Sequence, residues 1–202
     1  MTKEADTIIG LYRRHGAKWA KLRSQSPFLE FGWIDRFLKL LPTNPSILDL
    51  GCGSGTPIAR HLSENGCAVT GIDTSPELIE IAKEQGIDAE WLLADMRTLA
   101  LGKTFHGIMA WNSFFHLTPD DQRAMFSVFI RHTTKGSALM FTSGPTCGTS
   151  TGELEGEPLY HASLDGEEYR ALLSENHFEV IENIVEDPEC GHHTVWLAQR
   201  FD

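Results

Sequence analysis

Asp49-Leu50-Gly51-Cys52-Gly53-Ser54-Gly55 places a carboxylate and three alternating glycines directly after the apolar pair Ile47-Leu48. Glycines this close together mark a backbone that turns sharply and lets a ligand approach atoms that a Cβ would shield. The third glycine falls one residue too early for the dinucleotide fingerprint G-x-G-x-x-G, because position 56 is Thr56. Asp73 closes a second apolar run, Ala68 to Asp73. A carboxylate in that place can accept hydrogen bonds from both hydroxyls of a ribose. The chemistry these residues suggest is nucleoside binding at the strand ends of an open α/β sheet.

The elements that must hold these groups alternate regularly, short apolar runs with capped helical segments, the pattern of a parallel sheet with crossovers. Strands are expected at Ser46–Leu50, Ala68–Asp73, Glu90–Ala94, Phe105–Trp111 and Ser137–Ser143, with Phe178–Val185 and Thr194–Ala198 as a closing hairpin pair. Thr56 as N-cap and Pro57 at the first helical position begin a helix that Gly66 ends. Thr74-Ser75-Pro76-Glu77 and Thr118-Pro119-Asp120-Asp121 start two more, and Asp165 with Glu168 forms a capping box for another. Residues 1–41 predict two or three helices. The second begins at Ser26-Pro27, with Glu30, Trp33, Ile34, Phe37, Leu38 and Leu41 at helical spacing. Residues 144–164, rich in glycine, read as a loop too long for a plain connection and therefore a candidate lid.

The chain is 202 residues long, which fits one domain. A net charge of −11 works against a surface that tracks nucleic acid or an anionic membrane. No apolar run is long enough to span a bilayer. The polar start Met1-Thr2-Lys3-Glu4-Ala5-Asp6 has no secretory pattern, and Cys52, Cys67, Cys147 and Cys190 are dispersed, so a cytoplasmic protein with reduced thiols is expected. No metal site is expected, because neighbours such as His192-His193 on a strand point to opposite faces.

The pattern D-x-G-x-G-x-G, with Asp73 and Asp95 in register behind it, resembles class I S-adenosylmethionine-dependent methyltransferases over residues 46–202. The resemblance implies a Rossmann-like sheet of seven mostly parallel strands with helices on both faces, an N-terminal helical cap over residues 1–41, and S-adenosylmethionine as cofactor. It assigns Asp49, Gly51, Cys52, Gly53 and Gly55 to the glycine loop, Asp73 to the ribose, and Thr74 to the cofactor site beside it. Asp95 and Met96 fall where the family reads adenine, through the acidic side chain and the next backbone N–H. Trp111 and Asn112, at the end of the fourth strand, fall near the methionine part and the acceptor. Tyr12, Trp19 and Arg23 lie on the segment that family members use as a cap, and Tyr160 and His161 lie in the candidate lid loop. His116, just past the fourth strand, is the candidate general base. Each residue also has a plainer role available: Asp73 as an N-cap, Trp111, Tyr12 and Trp19 as packing, His116 as a polar residue lining a helix start.

A sulfonium methyl is already a strong electrophile with a neutral leaving group, so alignment and exclusion of water are the main demands and a base is optional. The expected reaction is methyl transfer to an O, N or C atom of a small molecule. A cofactor-binding protein without turnover and a nicotinamide oxidoreductase of similar topology stand as alternatives.

Overall fold

The computed structural model describes residues 3–202, with side chains from Thr7 onward; Met1 and Thr2 of the expected cap lie outside the described residues. The elements run α1 (Lys3–Gln25), α2 (Phe31–Lys39), β1 (Ser46–Leu50), α3 (Ile58–Glu64), β2 (Ala68–Asp73), α4 (Pro76–Glu84), β3 (Ala89–Leu93), β4 (Phe105–Ala110) and α5 (Pro119–Arg131). There follow β5 (Thr133–Ser143), β6 (Gly148–Leu154), β7 (Glu157–Ser163), α6 (Gly166–Glu175), β8 (Phe178–Asp187) and β9 (His193–Arg200). Seven strands pair in the order β3-β2-β1-β4-β5-β9-β8. All neighbours are parallel except at β9, which runs antiparallel to both β5 and β8. The strand order reverses between β1 and β4, which opens a crevice at their carboxyl ends.

Both faces of the sheet are covered, as the apolar central strands require. On one face α5 and α6 bury Phe126, Phe129, Tyr169 and Leu173 against Phe141 and Trp196, whose rings stack at 5.9 Å. On the other face α2 and α3 bury Trp33, Ile34, Phe37 and Leu62 against Ile47, Met109 and Met140. Gly107 in β4 makes room for α2: a Cβ there would overlap the tip of the Phe37 ring.

Several expected boundaries move, each for a local reason. Residues 3–25 form one long helix, so two helices precede β1, within the expected two or three, and Pro27, which has no N–H to donate, lies just beyond the end of the first. The second helix starts at Phe31 instead of Ser26-Pro27, because the Glu30 carbonyl receives the N–H groups of Trp33 and Ile34. Thr56 does not cap α3. Gly55 turns with φ +75°, its carbonyl takes the Arg60 N–H, and Pro57 sits at the N-cap. Asp165 caps α6 through the Glu167 N–H, but Glu168 leaves the expected box to pair with Arg123 of α5 at 2.6 Å. The fifth strand begins at Thr133, not Ser137.

The largest correction concerns residues 144–164. They form the hairpin β6–β7, with Leu154 opposite Glu157 and a two-residue turn at Glu155-Gly156, both at positive φ. That is the twist a tight hairpin needs. Asn or Asp before the glycine would have advertised it; Glu155 did not.

Gly107→Ala is expected to destabilise the protein by about 1–3 kcal/mol through overpacking at Phe37. A urea unfolding midpoint equal to that of the unsubstituted protein would contradict this packing account.

Candidate active site

The loop after β1 is drawn over the end of β2. The N–H groups of Gly51 and Cys52 both donate to the Ile72 carbonyl at 2.9 Å, and the Gly53 N–H donates to Asp73 Oδ2 at 3.0 Å. Asp73 Oδ1 accepts the Ser75 N–H at 2.9 Å, and Ser75 caps α4. A carboxylate offers roughly four acceptor positions, so these bonds leave capacity for a ligand. At Gly51 a Cβ would overlap that of Ser113, and at Gly53 it would lie 2.7 Å from the Trp19 ring. The chain passes here only because both residues lack a side chain.

The loop, the ends of β1, β2 and β4, and the turn after β3 enclose a cavity of about 290 Å³, with α1 and β7 forming its outer wall. Asp49, Asp73 and Asp95 all reach it, so three strand ends converge on one space. Burial, and next to it Asp73, push the Asp49 carboxyl up to about 7. Burial also raises Asp73, against the pull of its backbone donors. Cys52 is pushed well up by burial and by both carboxylates, which keeps it a thiol. At Asp95 burial pushes upward, but Arg97, hydrogen-bonded at 2.6 Å, outweighs it and holds the carboxyl below its ordinary value. The Asp95 side chain thus faces the cavity already paired.

Fifteen expected site residues line this cavity. Besides the three carboxylates, Gly51, Cys52, Gly53, Thr74 and Met96 come from the loop and strand ends, Trp111, Asn112 and His116 from the segment after β4, Tyr12, Trp19 and Arg23 from α1, and His161 from β7. Two do not. Gly55 faces the Trp91 ring, which a Cβ would approach at 2.6 Å, so its part is close packing. Tyr160 offers its main-chain carbonyl to His116, while its ring is not among the cavity walls. Trp111 is buried, stacks on His193 at 5.7 Å and also borders the cavity. Phe115, which the sequence offers as core or pocket wall, is part of the wall, and Arg97 and Leu159 join it unexpected. For Arg97 the signal was available, a basic residue two positions after Asp95. For Leu159 it depended on recognising the hairpin.

His116 is where the wall closes. Its Nδ1–H donates to the Tyr160 carbonyl at 2.8 Å, which leaves Nε2 as acceptor for the Tyr12 hydroxyl at 3.2 Å. Burial lowers its pKa to about 4, so the ring is neutral. Both nitrogens are therefore engaged, one by α1 and one by β7. The same two elements are tied outside by Arg14 and His15 on Glu157 and by Lys18 on Glu155. Arg23 is held by Glu30, at the turn into α2.

Residues 47–136 match the family described as "Methyltransferase domain". The fold agrees with a solved S-adenosylmethionine-dependent methyltransferase from Clostridium acetobutylicum at a TM-score of 0.73 and 14% identity, over 95% of this chain and 99% of that one. The chain resembles methyltransferases over residues 47–136 and shares the fold of the solved ones. A second solved structure, 1,6-didemethyltoxoflavin-N1-methyltransferase from Burkholderia thailandensis, agrees at a TM-score of 0.73 and 18% identity over 98% of this chain and 87% of that one. In sequence, the domain is 34% identical over 77 residues to a dTDP-3-amino-3,6-dideoxy-alpha-D-glucopyranose N,N-dimethyltransferase from Streptomyces fradiae, covering 38% of this chain and 30% of that protein. It is 32% identical over 82 residues to a ubiquinone biosynthesis O-methyltransferase from Nitrosospira multiformis, covering 39% and 33%. The matches span about a third of the length of these curated relatives. The methyltransferase match covers the strands that carry Asp49, Asp73 and Asp95, and it leaves out α1 and the β6–β7 hairpin.

Because the folded pKa of His116 is depressed from 6.5 to about 4, the unfolded chain binds the extra proton between those values. The stability contributed by the neutral ring is complete above pH 6.5 and fades as pH falls toward 4. Asp49, raised from 3.8 to about 7, acts oppositely: its contribution is present at low pH and lost as pH rises through 7. Comparison with His116→Gln at each pH isolates the histidine. The stability difference between the two proteins is expected to widen by about 3 kcal/mol from pH 4 to 6.5. Urea titrations giving a pH-independent difference would exclude a buried neutral imidazole.

Proposed function

We propose that this domain transfers a methyl group from S-adenosylmethionine to an O, N or C atom of a small molecule. The observation that carries the reading is the convergence of Asp49, Asp73 and Asp95 with a Cβ-free backbone turn on one cavity. The donor set fits the cofactor: an acidic lining suits a cationic sulfonium and ammonium, and a glycine cradle accepts a group pressed close to the main chain. When bound, the cofactor supplies an electrophilic methyl on positively charged sulfur. In this reading Asp73 holds the ribose with acceptor capacity left over from Gly53 and Ser75, and the Asp95–Met96 turn borders the adenine. Asn112 and Trp111 border the reacting end. Trp19 and Tyr12 of α1, with β7 opposite, exclude water, which strengthens the attraction between the acidic lining and a cation. His116, with both nitrogens engaged, positions this wall; acting as a base would first require release of the Tyr12 hydroxyl. The domain matches to an N,N-dimethyltransferase and an O-methyltransferase support a small-molecule acceptor. A cytoplasmic setting belongs to the same reading and rests on the dispersed, unpaired cysteines.

Calorimetric titration with S-adenosylhomocysteine is expected to give saturable binding; none at millimolar ligand would refute the assignment. Asp73→Ala should weaken that binding by about 1–3 kcal/mol, the value of charge-assisted hydrogen bonds. Trp19→Ala should also reduce affinity, by opening the wall above Gly53. An undiminished constant in the Trp19 variant would remove α1 from the binding site.

A further inference from the structure

A second cavity, of about 440 Å³, lies against the first, and the two share Phe115 and His161. Its other walls are the end of β5, the turn into β6 and the facing segment of β7, including Ser143, Thr146, Thr149, Ser150 and Ser163. The lining surface is mostly apolar, with hydroxyl-bearing side chains set into it. Among the described residues the lining contains no Asp, Glu, Lys or Arg. Its outer side, residues 145–150, is exposed, so the chamber is open to solvent while its inner end meets the first cavity at Phe115 and His161.

His161 differs from its neighbour His116. The rings lie 4.9 Å apart, and Phe115 is 5.1 Å from His161. His116 has both nitrogens bonded, whereas among the described residues neither nitrogen of His161 has a hydrogen-bond partner. A half-buried ring with free nitrogens on the boundary of two cavities has a partner to find. Burial lowers its pKa, which favours the neutral form able to accept a proton.

We propose that the second cavity is the acceptor chamber, that it takes an uncharged, hydroxyl-bearing ring compound, and that His161 accepts the hydroxyl proton. The inference rests on the methyltransferase reading and deepens it. A lining without counter-charges penalises an anion or cation that must shed water to enter, while the exposed Thr146, Thr149 and Ser150 hydroxyls serve neutral donors and acceptors equally. The step balances: a lone pair of the acceptor oxygen forms the new O–C bond, the C–S bond breaks with its pair kept by sulfur, and the hydroxyl proton passes to His161. The hairpin, which lies outside the matched methyltransferase segment, thereby selects the acceptor.

The test is binding, in two titrations. S-adenosylhomocysteine is first titrated into the protein, and catechol or 3,4-dihydroxybenzoate is then titrated into the complex. Catechol is expected to bind at least tenfold more tightly than the carboxylate analogue. Cys147→Trp and Thr149→Trp, both exposed positions on the chamber wall, should each weaken catechol at least tenfold while leaving S-adenosylhomocysteine binding unchanged. His161→Leu should weaken catechol binding to the complex at least tenfold. Equal or tighter binding of the carboxylate, no catechol binding to the complex, or undiminished binding in both tryptophan variants overturns the chamber. Failure of the first titration instead removes the cofactor reading beneath it.

Discussion

The Asp73 carboxylate is the constraint on which the site depends. It ends β2, pulls the Gly53 N–H inward with one oxygen, and fixes the Ser75 N–H at the start of α4 with the other. One buried acid thus ties together a strand, a glycine turn and a helix. The arrangement is costly: burial raises its pKa, and Asp49 stands close enough for Asp73 to raise that carboxyl too. Two acids forced together out of water destabilise the charged state of the pair, and a cation in the cavity would relieve that cost. The site is electrostatically prepared for a positively charged ligand before one arrives.

Closure of the cavity depends on contacts between parts far apart in the chain. Tyr12 from α1 and the Tyr160 carbonyl from β7 meet on opposite nitrogens of His116. The acceptor role of Nε2 follows from the carbonyl on Nδ1, since a carbonyl can only accept. The outer ion pairs between α1 and the hairpin are exposed and screened, so the buried histidine, not those charges, gives the closure its specificity. Opening this wall means separating the Tyr12 hydroxyl and the Tyr160 carbonyl from the buried His116 ring.

The strands were legible because each is a short apolar run bounded by turn residues. The three carboxylates were legible because each follows such a run. Boundaries set by competition were not. Thr56 looks like a cap, but the turn at Gly55 carries the chain past the position where its hydroxyl could serve. Glu168 looks like half of a capping box, but Arg123 from α5 offers a full charge, which outbids a backbone N–H. Residues 148–163 carry no apolar alternation, because β6 is exposed along nearly its whole length, so spacing gave no sign of the two strands. In each case the deciding partner lies elsewhere in the chain.

The sequence by itself determined the alternation of strand and helix, the glycine turn and the acids at three strand ends, because periodicity and backbone freedom are local properties. Only the tertiary structure decided that Gly55 serves packing, that both nitrogens of His116 are engaged, and that the supposed loop is a hairpin walling two cavities. Those outcomes depend on which side chain arrives from a distant segment, and one-dimensional spacing does not encode that meeting.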